Sequence, residues 1–478
     1  MSLSAPDFAT SLGNREPAVR PPLDPAFRPL SLGLRAFRRE LAKAPARDRL
    51  VIALEQGEDS ISRTEWEVFP EGAGHDPDNL RFASWILNFL VWSRGGWRAW
   101  LQGPAGLCAA LAEQYRPGGV HAFDAGLMTQ AFARPFEVVR AEPGAMPEGK
   151  ARPLALGGHL EGCRIGFDLG ASDYKVAAVR DGATVFSAEL PWQPRTQADP
   201  EYHYRCLTEG LRLAAAHLPR VDAIGGSSAG ILVDNRVRVA SLFRSVPAER
   251  FRAEVEPLFL RIQSDWGVPL EVINDGDVTA LAGAISLGLT GILGIALGSS
   301  EAVGYLDRQG RITGWLNELA FAPVDADPGA GTDDWSGNPG VGAAYFSQQA
   351  VNRLAPAAGF RFPDELGLPE RLKAVQARCE AGDPGARAVF ESVGVCLGYA
   401  LPWYAEFYEL DHAMILGRVT SGAGGELILD QARRVLAAEF PDLAGRLSIF
   451  LPDEASRRVG QAAAASSLPV IPKATSRA

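Results

Sequence analysis

Two stretches of this chain repeat each other. Gly166-Phe-Asp-Leu-Gly-Ala-Ser-Asp173 and Gly294-Ile-Ala-Leu-Gly-Ser-Ser-Glu301 align at a constant offset of 128 residues, and the match runs on to the turns Arg180-Asp181-Gly182 and Arg308-Gln309-Gly310. Each copy reads as strand, tight Gly/Ser turn, strand, second turn, strand. A Gly/Ser turn between strands aims several backbone N–H groups at one spot, which suits an anion. Two such turns on facing lobes suit a polyphosphate, with Gly170 and Ser172 on one side and Gly298, Ser299 and Ser300 on the other. Asp168, inside the first motif, is placed to hold Mg²⁺ through water and so offset phosphate charge. Between the copies, Asn274-Asp275 ends the buried-type strand Leu270 to Asn274 and opens a helix pattern. Asp275 is the candidate general base for an attacking hydroxyl, a role worth roughly 10²–10⁴ in rate. The alternative is that it only caps the helix after it, and the two roles can coexist. Farther on, Ala413-Met-Ile-Leu-Gly417 runs into the loop Arg418-Val-Thr-Ser-Gly-Ala-Gly-Gly425. Gly417 and Gly422 there offer bare backbone to an adenosine, or the loop is only a tight strand–helix connection.

The elements that must position these residues fall into blocks. Residues 1–24, rich in Pro, Ala and Arg, read as a disordered arm. Residues 25–140 read as a small α/β domain without an assigned role. In it, Leu50–Leu54 is a buried-type strand and Ile61–Phe69 alternates like an exposed one. A helix opens at Asp76-Pro77-Asp78, carries Phe82, Trp85, Ile86, Phe89 and Leu90 on one face, and stops at Gly95-Gly96. Strands follow at Trp97–Leu101 and Phe136–Val139. Residues 141–162 form a Pro/Gly-rich linker. Residues 163–290 and 291–470 are the two lobes, and 471–478 is a tail. The Trp-rich helix exposes more apolar area than the small domain can bury alone, so that domain should pack on the N-terminal lobe. Both 164–190 and 292–316 should form three adjacent antiparallel strands.

Composition narrows the function. The chain has 478 residues, 47 basic against 57 acidic, for a net charge of −10. That balance argues against nucleic acid or an anionic membrane as the main partner. The five cysteines form no CxxC, which suits reduced thiols in a cytoplasmic protein. No apolar run near the N-terminus is long enough to span a bilayer.

From these residues the chain resembles the ROK (repressor, open reading frame, kinase) family of the actin–hexokinase–Hsp70 superfamily, over about residues 163–470. Phe167-Asp-Leu-Gly-Ala-Ser172 resembles its first phosphate motif and Val272-Ile-Asn-Asp-Gly276 its catalytic motif. Gly314-Trp-Leu-Asn-Glu318 resembles its sugar-binding segment, and Gly460–Ala465 its closing helix. The resemblance implies two ribonuclease-H-like α/β lobes with a cleft between them, as in actin-like ATPases and sugar kinases. It implies ATP and Mg²⁺ as cofactors, Asp275 as base, and Asn274 and Glu318 on the hydroxyls of a sugar-like substrate. A homodimer is left open. A non-catalytic ligand-binding or regulatory protein on the same fold is the alternative.

The departures carry weight too. The three cysteines of the family's zinc segment fall on Asp334, Ser336 and Val341, its sugar-binding Glu on Ala343, and a histidine on Phe321, so no zinc site is expected. Arg418 and Val419 replace glycines of the adenosine loop. Glu301 stands in the second phosphate loop. Aimed at a phosphate about 4 Å away it would cost about 4 kcal/mol at an effective dielectric near 20. Its correspondence to Asp173 suggests instead that it points outward.

Overall fold

The computed structural model describes residues 16–142, 144–150, 156–452 and 460–472. Its N-terminal sheet is built from β1 (Asp48–Gly57), β2 (Ser60–Val68), β3 (Arg98–Gln102) and β4 (Glu137–Arg140), in the order β2-β1-β3-β4. β1 is paired on both sides, and its middle residues Leu50–Leu54 are fully buried. β2 alternates toward solvent. The helix Asp76–Arg94 covers this sheet; Asp76, Pro77 and Asp78 suit its first turn, and Gly95 at φ 73° ends it.

The N-terminal lobe holds β5 (Cys163–Leu169), β6 (Asp173–Arg180), β7 (Ala183–Pro191), β8 (Ala223–Ser228) and, after a small hairpin of β9 (Ile231–Val233) and β10 (Arg236–Val239), β11 (Leu270–Asn274). The order is β11-β8-β5-β6-β7, with β5 to β7 antiparallel and β8 and β11 parallel to β5. The C-terminal lobe repeats the pattern with β12 (Ile292–Leu297), β13 (Glu301–Leu306), β14 (His412–Leu416) and β15 (Ser448–Phe450), ordered β13-β12-β14-β15. Both lobes therefore carry a hairpin followed by two parallel strands.

The second copy does not complete three strands. Past its turn only one bridge forms, between Leu306 and Ile312. The chain then leaves the sheet, because Leu316, Asn317 and Glu318 donate their backbone N–H groups to Arg94, Ser93 and Trp92 at the end of the helix Asp76–Arg94.

Two helices lie between the lobes. The helix Asp275–Leu287 follows the last strand of the N-terminal lobe but packs on β12 and β13, whereas Gln461–Ser466 returns to pack on β5 and β8. Glycines set how close that last helix comes. A Cβ at Gly166 would lie 1.6 Å from the carbonyl oxygen of Ala462, and one at Gly225 would lie 1.7 Å from that of Ala465.

The N-terminal unit packs mainly on the C-terminal lobe, not on the N-terminal lobe as expected. Phe89 stacks on Phe407 and meets Trp403 edge-on, and Trp92 meets Phe321, so both units share one apolar core. The buried helix Pro384–Tyr404 supplies the large apolar partner that the Trp-rich helix needs. The N-terminal lobe is met at the β9–β10 hairpin, where Gln130 donates to the Arg238 carbonyl at 3.3 Å. The described part of the expected disordered arm is also fixed. Ala18 N–H donates to Glu439, Val19 N–H to Tyr399, and Asp24 pairs with Arg353 at 2.7 Å. Its continuation is an amphipathic helix, Leu30–Leu41, whose Phe37 stacks on Phe82 with ring centroids 4.0 Å apart. Residues 1–15 and 473–478 lie outside the described residues. Among the described residues no helix is long and apolar enough to cross a membrane.

Candidate active site

Asn274, not Asp275, caps the helix Asp275–Leu287. Its Oδ1 accepts the Gly276 N–H at 2.7 Å, and its Nδ2 donates to the Gly230 carbonyl at 2.9 Å and faces Glu318 Oε1 at 3.5 Å. Asp275 is thereby released from the capping role that the sequence left open. Its side chain is half-buried, at the start of the helix that crosses from one lobe to the other. Burial, and then the charge of Asp168, push its pKa up to about 6. Asp168, at the end of β5, is buried and raised in pKa chiefly by desolvation. Asp168 from one lobe and Asp275 from the start of the crossing helix thus share one field. Glu318 joins them from the C-terminal lobe, raised to about 8 by burial and by Asp275 and Asp277.

Asp277, two residues past the candidate base, was not singled out from the sequence. It is buried, and burial pushes its pKa up to about 7. Its Oδ1 accepts from Tyr305 N–H at 3.2 Å and from Asn317 Nδ2 at 3.0 Å. Asn317 in turn accepts from the Tyr408 hydroxyl at 3.0 Å and holds a left-handed backbone at φ 53°. Asn tolerates that conformation better than most residues, and this was the one local signal available in the sequence.

The two turns differ. In the first, Gly170 accepts from the Trp192 indole N–H at 2.8 Å, Ser172 donates to Asp173, and Ala171 and Ser172 are exposed. A cleft of about 520 Å³ opens beside it, lined in part by Trp192, Arg195 and Tyr202. In the second, the Gly298 N–H is held within the turn by the Ser300 carbonyl at 3.0 Å, while Ser299 is exposed. Gly417, at φ 100°, sits against this turn: a Cβ there would lie 2.4 Å from the Leu297 carbonyl oxygen. Gly422 meets Glu380, whose carboxylate accepts the Ala423 N–H at 2.7 Å and so occupies the start of the helix Ala423–Glu439.

Glu301 points neither at a phosphate nor outward. It begins β13 with its side chain turned into the lobe, 4% exposed, in the space left by Gly342. Among the described residues neither oxygen has a hydrogen-bond partner; the Tyr404 hydroxyl lies beside it, outside hydrogen-bonding geometry. Burial pushes its pKa up to about 8, so at neutral pH it is mostly a neutral acid.

The loop that aligns with the family's zinc segment is organised by a carboxylate. Asp333 Oδ2 accepts from Ser336 N–H at 2.7 Å and Ser336 Oγ at 2.8 Å, and Oδ1 accepts from Gln349 at 2.9 Å. Asp334 is exposed and Val341 is buried. Phe321 packs between Trp92 and Trp335.

No family model and no curated protein matches the sequence. Solved structures do match. A ROK hexokinase from Thermus thermophilus aligns with a TM-score of 0.50 at 20% identity, over 64% of this chain and 97% of that one. A ROK family transcriptional regulator, a homolog of the E. coli MLC protein, aligns with a TM-score of 0.50 at 16% identity, over 76% of this chain and 88% of that one. These likenesses establish the fold: two α/β lobes of the actin-like ATPase type around a cleft.

Proposed function

We propose that the protein is an ATP- and Mg²⁺-dependent kinase acting on a hydroxyl of a sugar or sugar-like small molecule. The observation that carries this reading is Asp275, at the start of the crossing helix that Asn274 caps, with a pKa of about 6. A base poised near neutral pH is mostly ionised at pH 7 yet still accepts a proton in the transition state. Asn274 and Glu318, 3.5 Å apart, are placed to hold the acceptor beside it. Asp168 is the carboxylate that would hold a hard cation, through water, which leaves Asp275 free to accept the proton. When bound, MgATP supplies the phosphoryl group and the charge that offsets its oxygens. The chain's own part is to orient the hydroxyl and to take its proton at Asp275. We assign no structural zinc, since Asp333 makes the hydrogen bonds that hold the 333–349 region.

A second reading is favoured by the nucleotide side. The Gly298 N–H is already bonded within its turn, and Glu380 already occupies the helix start beside Gly422. Both would suit a protein that keeps the cleft as a ligand site and has lost ATP use.

A thermal-shift screen with MgATP and a sugar panel, followed by ATP consumption, separates them. A kinase is expected to melt higher with MgATP, by the equivalent of about 2.7 kcal/mol at one hundred times Kd, and to consume ATP with one sugar class. A shift with a sugar and none with MgATP favours the ligand-binding reading.

A further inference from the structure

The Trp315–Glu318 segment is held from outside its own lobe. Where the first repeat adds β7, the second lays its chain against the C-terminal end of the helix Asp76–Arg94. The N–H groups of Leu316, Asn317 and Glu318 donate to Arg94, Ser93 and Trp92 at 3.2, 3.0 and 3.0 Å. Carbonyls in a helix's last turn have no partner within the helix, so these three are taken up by the segment that carries Glu318.

Arg94 then reaches under that segment. Its guanidinium lies 3.4 Å from the centroid of the Trp315 ring and 4.9 Å from that of Tyr408, and it donates to the Phe407 carbonyl. It is 4% exposed and, among the described residues, forms no ion pair. An unpaired buried guanidinium is unfavourable, a burden that an apolar residue filling the same space would not impose. What the site gains is order near the cleft. Tyr408 bonds Asn317, Asn317 bonds Asp277, and Asp277 stands in the first turn of the helix that begins at Asp275.

We propose that the N-terminal unit is a working part of the cleft. Arg94 is a positioning residue that fixes the Trp315–Glu318 segment and, through Tyr408 and Asn317, the first turn that carries Asp275. Its consequence for catalysis rests on the kinase reading; the contact itself does not. The effect falls on the acceptor side of the site and leaves the nucleotide side alone.

The test uses the full chain and two variants. Arg94→Lys keeps the charge and loses the flat fork that stacks on Trp315. Asn317→Gly keeps the left-handed backbone and loses the link to Asp277. Hydrogen exchange is read at the amides of residues 316–318, and kinetics are read with ATP and a sugar that the wild type phosphorylates. Faster exchange is expected at those amides in both variants. The acceptor kcat/KM is expected to fall roughly tenfold or more while KM for ATP stays unchanged. Wild-type exchange and wild-type kcat/KM in a folded variant overturn the proposal. So does a lower melting temperature with unchanged kinetics per folded molecule, which marks a purely structural role. If Arg94→Lys fails to fold, Asn317→Gly decides. If the wild type turns over no acceptor, the kinase reading fails, and unchanged exchange in the variants then overturns the positioning claim by itself.

Discussion

Asp275, Asp277, Glu301 and Glu318 all have pKa values raised by burial, to about 6, 7, 8 and 8. Each folded-state value lies above its unfolded one, so the native chain keeps protons that the unfolded chain has already released. Stability from this cluster is intact below about pH 4 and is lost as pH climbs through 6 to 8. Glu301 is the cleanest probe, because neither of its oxygens has a hydrogen-bond partner among the described residues. In Glu301→Gln the stability lost between pH 5 and pH 8.5 is expected to shrink by on the order of a few kcal/mol. Denaturant unfolding at the two pH values checks it, and the same pH slope in both proteins would contradict a protonated Glu301. From the sequence this side chain was expected to point outward if not at a phosphate. At the start of β13 it is turned inward with Val303 and Tyr305, and the missing side chain of Gly342, distant in sequence, leaves room for it.

Among the elements, local patterns were legible and the destinations of edges were not. β1, β2, the helix Asp76–Arg94, β3 and the turns at Gly170 and Gly298 follow from periodicity and Gly placement. The third strand of the second repeat was lost because its residues bond to a helix end more than two hundred residues earlier in the chain, a competition no local window contains. The fixed arm and the helix Leu30–Leu41 were missed for a related reason: their partners, Glu439, Tyr399 and Arg353, lie hundreds of residues away. The closing helix Gln461–Ser466 was legible as a Gly-Ala-Ala run, and the structure supplies the reason for its small residues. Its backbone touches β5 and β8 where Gly166 and Gly225 lack side chains. Gly225→Ala would set a methyl against the Ala465 carbonyl, so a loss of about 1–3 kcal/mol or more is expected in urea unfolding. An unchanged midpoint would mean that the contact is slack.

At the scale of the whole molecule, three units meet at one cleft. The N-terminal lobe brings Asp168, the crossing helix brings Asp275, and the C-terminal lobe brings Glu318, itself backed by the N-terminal unit. The two-lobed fold was legible in the sequence because two matching stretches offset by 128 residues expose internal symmetry. The lobe against which the small unit packs was not legible, because an apolar helix face names no partner. The account's central claim is that Asp275 takes the proton from the acceptor hydroxyl. Since Asn274 makes the cap, Asp275→Asn should leave the helix and the melting temperature near wild type. The direct measurement is ATP consumption with a sugar from the panel, wild type against Asp275→Asn, alongside binding of that sugar. The account expects binding nearly intact and turnover lower by roughly two or more orders of magnitude. Equal turnover in the two proteins would contradict it.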